Sequence, residues 1–525
     1  MPDHLRALVI ILILAPLTFA VARTVTVPLI ADADFVRRRN LWIALTLVAY
    51  LAHNFWICIL LAGVLLWYAT AREHNRIALY FFVLFALPAL PDAIPGLGVI
   101  NYFFSIDYLR LLSLAVLAPA ALELHRDRDS LPVGRGACDK LLLAYVAYNL
   151  VLIFLAGTFT NFLRSVFLNT IDILLPYYVA SRALRRPEQF RDALASFVVG
   201  AGLLAGIGIF EAAKGWLIYA PLKESLDNHY PMMNGLRRGE TQRAMASTGQ
   251  PIAFGYVMAV AIGLWLYLQQ LTKPRVRLLP LLLLIAALIA TLSRGPWVGA
   301  AIVGVVFILA GPRALQRLLR LCLFGGVAVG LATLTPVGEN LIDLLPFIGD
   351  SEGETVGYRQ QLIEFFVPII LDNPFNGASD YLYSAALEGL RQGEGIIDVV
   401  NSFIGIGLHS GLVGLVLFTG FFVSVGRGVW RTLRREAGHD ADTQRLGQAL
   451  LAVLIGIMVI IGTVSSITVI PYIYWTIAGI GVAYIGSAAD ARNLALAVQA
   501  KPRPLADLAS KRRHIHARPA HAEPL

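Results

Sequence analysis

Apolar stretches of helical length alternate with short basic links along most of this chain. Stretches of about 15–22 apolar residues match the length of a membrane-crossing helix, the open-chain structure that satisfies its own backbone in hydrocarbon. The first, Leu5–Ala22, is followed by no small-residue cleavage site across Thr24–Asp34 and reads as a retained helix rather than a signal peptide. Arg37, Arg38 and Arg39 come next. Leu41–Thr70 is long for one span and short for two. A single long or broken helix is the favoured reading, with a hairpin as the alternative. Clear spans are then expected at about 77–90, 109–123, 140–157, 165–181, 194–211, 252–270, 278–292, 296–311, 319–335, 403–425, 447–466 and 470–488. The pattern predicts an all-α polytopic membrane protein of about 12–15 transmembrane helices with one large, mainly helical loop.

That loop divides the chain. Residues 1–336 form an N-terminal set of spans carrying an outer loop at 212–250. Residues 337–402 are the large loop, 403–488 the C-terminal spans, and 489–525 a basic, Pro-containing tail expected to be disordered. The large loop opens on acids (Asp343, Asp350, Glu352, Glu354), continues as a helix-like run from Tyr358 and Arg359, and breaks at Asp372-Asn-Pro-Phe-Asn-Gly377. Asn-Pro and Asn-Gly are turn signals. It returns to the membrane through Asp398-Val-Val-Asn401-Ser402-Phe403.

Composition agrees with the pattern. Hydrophobic residues make up 57% of the chain and charged residues 15%, and the mean hydropathy is +0.68, values of the polytopic membrane class. The net charge of +9 reflects no nucleic-acid partner. It comes from Lys and Arg in the short links, which can all lie on the cytoplasmic side together. With Leu41–Thr70 as one span, about fourteen spans result and Arg37–Arg39 fall on the outer side, against that rule. Cys58, Cys138 and Cys322 lie in apolar runs or a basic link, so no disulfide is expected, and no metal or nucleotide motif appears.

The arginines left on the outer side then stand out: Arg164, Arg237, Arg238, Arg243, Arg294, Arg359 and Arg391, with Arg110 at the boundary. Arg294 lies in Thr291-Leu-Ser-Arg-Gly-Pro-Trp297, a turn too short to be a solvated loop. A guanidinium at that depth needs an anion, either a protein carboxylate or a ligand phosphate, for which its planar fork is suited. Arg359, preceded by Tyr358, is either a counter-ion of an acidic loop or a phosphate ligand. Arg243 is either an interfacial anchor or a ligand of the same kind. Arg164 and Asp172 are two turns apart on roughly one face. An acid inside a span is functional or paired, and a structural pair with an arginine is the plainer reading.

From Ser293-Arg-Gly-Pro-Trp-Val-Gly299 onward the sequence resembles the O-antigen polymerase and ligase superfamily of bacterial inner-membrane glycosyltransferases. The Ser293-Arg294-Gly295 turn is similar to one that the family carries between two spans. Arg243-Ala-Met-Ala-Ser-Thr-Gly249 resembles its Arg-x-x-G-T entry to an earlier span. Arg359 and Asp372-Asn-Pro-Phe-Asn-Gly377 match its Arg-led loop helix and D-x-P-x-x-G turn. Val400-Asn401-Ser402-Phe403, followed by Ser410-Gly-Leu-Val-Gly414, matches its return to the membrane. Valine stands at position 400, where the family has histidine, with Asp398 and His409 the nearest candidates to replace it as base.

The resemblance implies a metal-independent, cofactor-free, inverting transferase of the GT-C kind at the periplasmic face of the bacterial inner membrane. Its donor would be an oligosaccharide on undecaprenyl diphosphate. Arg294, Arg359, Asp398 and Asn401 would be catalytic. Arg243, Arg294, Arg359, Arg164 and Tyr358 would bind diphosphate or substrate. A polysaccharide polymerase is the first expectation. A ligase moving the glycan to lipid A core or another acceptor is the alternative, and a lipid-linked glycan transporter a third. Expected partners are the lipid-linked oligosaccharide, a glycan acceptor, the bilayer and other polysaccharide-assembly membrane proteins.

Overall fold

The computed structural model describes residues 1–98, 101–128, 130–228, 230, 235–238, 241–332, 334, 353–378, 399–436 and 440–500; the side chains of 353–359, 493–500 and some of 324–332 fall outside the description. The chain is a multi-pass, all-α membrane protein. Its helices are α1 (Asp3–Thr26), α2 (Asp32–Leu51), α3 (Phe55–Thr70), α4 (Arg76–Val83), α5 (Tyr108–Arg126), α6 (Ala137–Ala156), α7 (159–183), α8 (Pro187–Lys214), α9 (Pro251–Leu271), α10 (Leu278–Ala290), α11 (Arg294–Leu309), α12 (Ala314–Ala332), α13 (Gly353–Asp372), α14 (Ser402–Arg435), α15 (Ala441–Ile461) and α16 (Ile470–Ala500). Among the described residues, eight are long and apolar enough to cross a membrane, with α3 and α11 shorter and apolar. Among the described residues, sheet is confined to two small hairpins, Asp92–Pro95 with Tyr102–Ile106 and Arg237–Arg238 with Thr241–Gln242. At the centre, α9 is buried almost all round against α8, α11 and α15, as a helix apolar on every face must be.

Glycines set the close approaches. A Cβ on Gly255 of α9 would meet the Pro296 ring, and one on Gly295 would sit 2.5 Å from Thr463 Oγ1. Small residues let helix backbones approach where lipid supplies no hydrophobic drive to associate.

Leu41–Thr70 is a hairpin, which corrects the favoured single helix. Its turn is Ala52-His53-Asn54: His53 takes the left-handed φ of +48°, and Asn54 caps α3 by accepting from Trp56 N and Ile57 N. Arg38, at the start of α2, donates to Glu73 beyond the end of α3 and to Asp192 at the start of α8. Arg37 joins Glu73 as well. These arginines therefore lie with the other basic links, held there by the buried Glu73 and the half-buried Asp192. The same end gathers Arg182 with Asp139, Arg191 with Asp442, Arg76 with Glu123 and Arg185 with Asp127. We call it the basic end. The opposite, loop end carries the His53 turn, Trp216 and residues 235–238 and 241–250.

A second correction concerns Asp172. Its arginine is Arg110, whose Nη2 lies 3.0 Å from Oδ2, with Tyr472 donating to Oδ1 at 2.7 Å. The pairing with an arginine holds, but Arg164 is elsewhere. A π-turn at Thr170–Leu174 inserts a residue between Arg164 and Asp172 and rotates them off one face. Arg164 instead donates to the Phe103 and Tyr102 carbonyls, each at 2.7 Å, over the Tyr102 ring. At the C-terminus α16 runs on past residue 488 to Ala500.

Candidate functional site

The turn between α10 and α11 is built to receive arginines. Leu292 adopts φ +47°, a conformation that costs an L-residue about 1–2 kcal/mol. The turn offers its carbonyls to the outer loop. Arg243 Nε donates to Thr291 O at 3.1 Å and its Nη2 to Ser293 Oγ at 2.8 Å. Arg238 Nη1 donates to Leu292 O at 3.0 Å, and Ala244 N to Ala290 O at 3.1 Å. The next residue, Arg294, is the first of α11. Two arginines thus bed on the turn that presents a third, at a helix N-terminus whose Ser293 side chain does not cap it. Free N–H groups there favour an anion.

Arg243 is half-buried, and its hydrogen-bond partners are neutral oxygens; among the described residues no carboxylate pairs with it. Burial, with Arg238 beside it, lowers its pKa to about 10. It is still a cation at neutral pH, held where an anion would relieve it.

The segment bearing Arg243 is fixed from below by Glu211. This fully buried carboxylate at the end of α8 accepts from Ile218 N (3.0 Å), Met245 N (3.0 Å) and Ala246 N (2.8 Å). It ties the two ends of the outer loop together. Ser247 Oγ adds a bond to Phe85 O at 2.7 Å.

A second junction lies in α14. Ser410 and Gly411 leave helical geometry, Gly411 at φ +61°. The unwound turn frees backbone groups, and the loop's Asn373-Pro-Phe-Asn-Gly377 turn satisfies them. Leu412 N and Val413 N donate to Pro374 O at 2.7 and 3.4 Å, and Ala378 N donates to Leu408 O at 2.7 Å. The Tyr148 hydroxyl from α6 donates to Phe375 O. Gly377 sits at φ +68° against Leu408 and His409. A broken helix is tolerated at membrane depth only when its backbone is re-satisfied in this way.

The two junctions meet through the loop between α15 and α16. Thr463 packs on Gly295. Ser402 donates through N and Oγ to Val464 O at 3.1 and 2.7 Å. Ser465 Oγ reaches Val399 O at 2.8 Å, and Ser466 Oγ lies 2.8 Å from Ser402 Oγ. Arg294 and the entry to α14 therefore flank one short polar loop.

Of the expected site residues, Arg243, Arg294, Asn401 and His409 fall around this arrangement. Asn401 caps α14, its Oδ1 accepting from Phe403 N (2.9 Å) and Ile404 N (3.2 Å), so its amide oxygen has a structural role. Val400 packs on an apolar cluster of Leu362, Phe366, Ile370 and Leu408, which accounts physically for an aliphatic side chain there. Tyr358 and Arg359 stand on α13 one turn before Leu362, with their side chains outside the described residues; Asp398 and Arg391 lie outside them altogether. His409 is exposed directly before the α14 break, its Nδ1 3.0 Å from Gly405 O. A carbonyl can only accept, so Nδ1 is the donor in this contact. Arg164 is held by the hairpin carbonyls, apart from the arginine turn.

Residues 279–419, from α10 through the break in α14, match a family model described as O-antigen ligase. That match supports the O-antigen ligase and polymerase superfamily. No curated protein matches the chain. The O-antigen ligase match takes in Arg294, α13, the Asn373–Gly377 turn, Asn401 and His409, and it supports a glycosyltransferase-like activity of the ligase or polymerase type. Glu211 and the Thr463–Ser466 loop were not anticipated from sequence. An acid at the end of an apolar span is a signal that could have found Glu211; the serines, continuous with apolar spans, gave none.

Proposed function

We propose that the chain is a polysaccharide polymerase that joins glycan repeat units carried on undecaprenyl diphosphate, working at the periplasmic face of the bacterial inner membrane. The observation that carries this reading is Arg243, half-buried at the loop end on neutral oxygens beside Arg238 and bonded to Ser293, the residue before Arg294. An anion would relieve this guanidinium, and a lipid diphosphate arriving from the bilayer supplies one. The acceptor hydroxyl attacks the anomeric carbon with inversion; the C–O bond to the diphosphate breaks and its electron pair leaves with the phosphate. Arg243, Arg294 and Arg359 face charge that grows on the leaving group. Asp398 or His409 takes the hydroxyl proton. The loop-end location follows from the basic links lying at the other end, the cytoplasmic one by their charge.

A ligase is the second reading, favoured by the description of the matching family. The valine at position 400 favours the polymerase. The two separate in membranes lacking this protein. Single lipid-linked repeat units left unjoined, with no long chains, are the expected result. Long chains stranded on the lipid carrier would instead identify a ligase.

A further inference from the structure

At the basic end, opposite the arginine turn, α6, α7, α14 and α16 enclose a cavity of about 920 Å³. Arg135, Arg182, Arg185, Arg427 and Arg431 line it, with Asp139 and Asp490 as its acids. Asp139 is taken up by Arg182 and the Tyr177 hydroxyl, and Arg185 pairs with Asp127. Among the described residues Arg135, Arg427 and Arg431 have no carboxylate partner. Among the described lining residues, Asp490 alone opposes their charge.

A groove of about 670 Å³ runs along the other side of α14, between α11 and α15. Its walls are almost wholly apolar, formed by side chains such as Leu309, Phe422, Leu451 and Ile455. Val423 and Arg427 line both spaces, so they adjoin across one ridge of α14. Thr419 to Trp430 of α14, which line the groove together with Phe403 before the helix break, rise about 16 Å at 1.5 Å per residue, close to the roughly 15 Å depth of one leaflet's hydrocarbon. Trp430 is exposed beneath the Arg434 guanidinium at 4.5 Å, the position of an interfacial tryptophan. Charge therefore gathers at headgroup level, and the apolar groove descends one leaflet from it.

We propose that this pair of spaces is a binding site for an anionic phospholipid of the basic-end leaflet. Arg135, Arg427 and Arg431 receive its phosphodiester headgroup, and one acyl chain lies in the groove beside α14. A soluble anion would account for the cavity but not for the adjoining groove, and a zwitterionic lipid would not answer its charge.

The test is native mass spectrometry of the full chain in neutral detergent, offered equal amounts of dioleoyl phosphatidylglycerol and dioleoyl phosphatidylcholine. Wild type should retain phosphatidylglycerol with a preference of about tenfold or more, given the attraction expected of three arginines. Changing Arg135, Arg427 and Arg431 together to Gln should remove the preference. Changing Arg126, Lys273 and Arg275 to Gln, the same loss of charge elsewhere at that end, should preserve it. Ile455→Trp, which fills the groove and leaves every arginine, should lower retention several-fold. Equal retention of both lipids by wild type, equal loss in the two triple variants, retention unaffected by Ile455→Trp, or displacement by an equal concentration of glycerol 3-phosphate would each overturn the proposal.

Discussion

Arg294→Ala is expected to abolish polymer formation in cells while the protein inserts and accumulates normally, with Arg359→Ala giving the same result. Arg294 starts α11 next to the Ser293 hydroxyl that Arg243 holds, at 2.8 Å. Losing one preorganised donor to a developing charge costs about 10²–10³ in rate, enough to remove long chains from a gel. Normal insertion is expected because the residue sits in a turn and no span loses apolar length. Arg294→Lys should restore little, since a compact ammonium cannot replace a planar fork. Wild-type chain length in either alanine variant would remove that arginine from the mechanism.

The second large effect is structural and falls on glycines. Gly411→Ala and Gly377→Ala should each destabilise the loop junction by about 3 kcal/mol or more, from left-handed strain and unsatisfied buried backbone groups. A Cβ on Gly411 would overlap the Pro374 carbonyl, and one on Gly377 the Leu408 carbonyl. These are the oxygens that bind Leu412 N and Ala378 N at 2.7 Å. Gly405, in the same helix, is the control, because a Cβ there meets nothing within 4 Å. Limited proteolysis of the large loop should be faster in the first two variants and unchanged in Gly405→Ala. Equal proteolysis in all three would show that the turn does not depend on this docking.

The helices were legible in the sequence because a membrane leaves few alternatives: an apolar run of sufficient length must be a helix, and basic links must gather. The failures have local causes. The α2–α3 turn contains no Gly or Pro, only His53 at positive φ and Asn54 as cap, so the run read as continuous. The acids that draw Arg38 to the basic end are Glu73 and Asp192, far off in sequence. A π-turn, invisible to a fixed helical period, separated Arg164 from Asp172. Arg294 and Arg243 were legible as exceptions to the charge rule. That Arg243 and Arg238 share one turn depends on the strained Leu292 backbone, which leaves no mark in the residue types.

We propose that the arginine turn serves transfer from a lipid diphosphate. The most direct measurement incubates the purified protein with a synthetic undecaprenyl diphosphate-linked repeat unit and follows the lipid product. Release of undecaprenyl diphosphate, matched by formation of an inverted glycosidic bond and lost in Arg294→Ala, is the predicted result. A lipid-linked unit left intact by wild type with acceptor present, or equal turnover by wild type and Arg294→Ala, would contradict it.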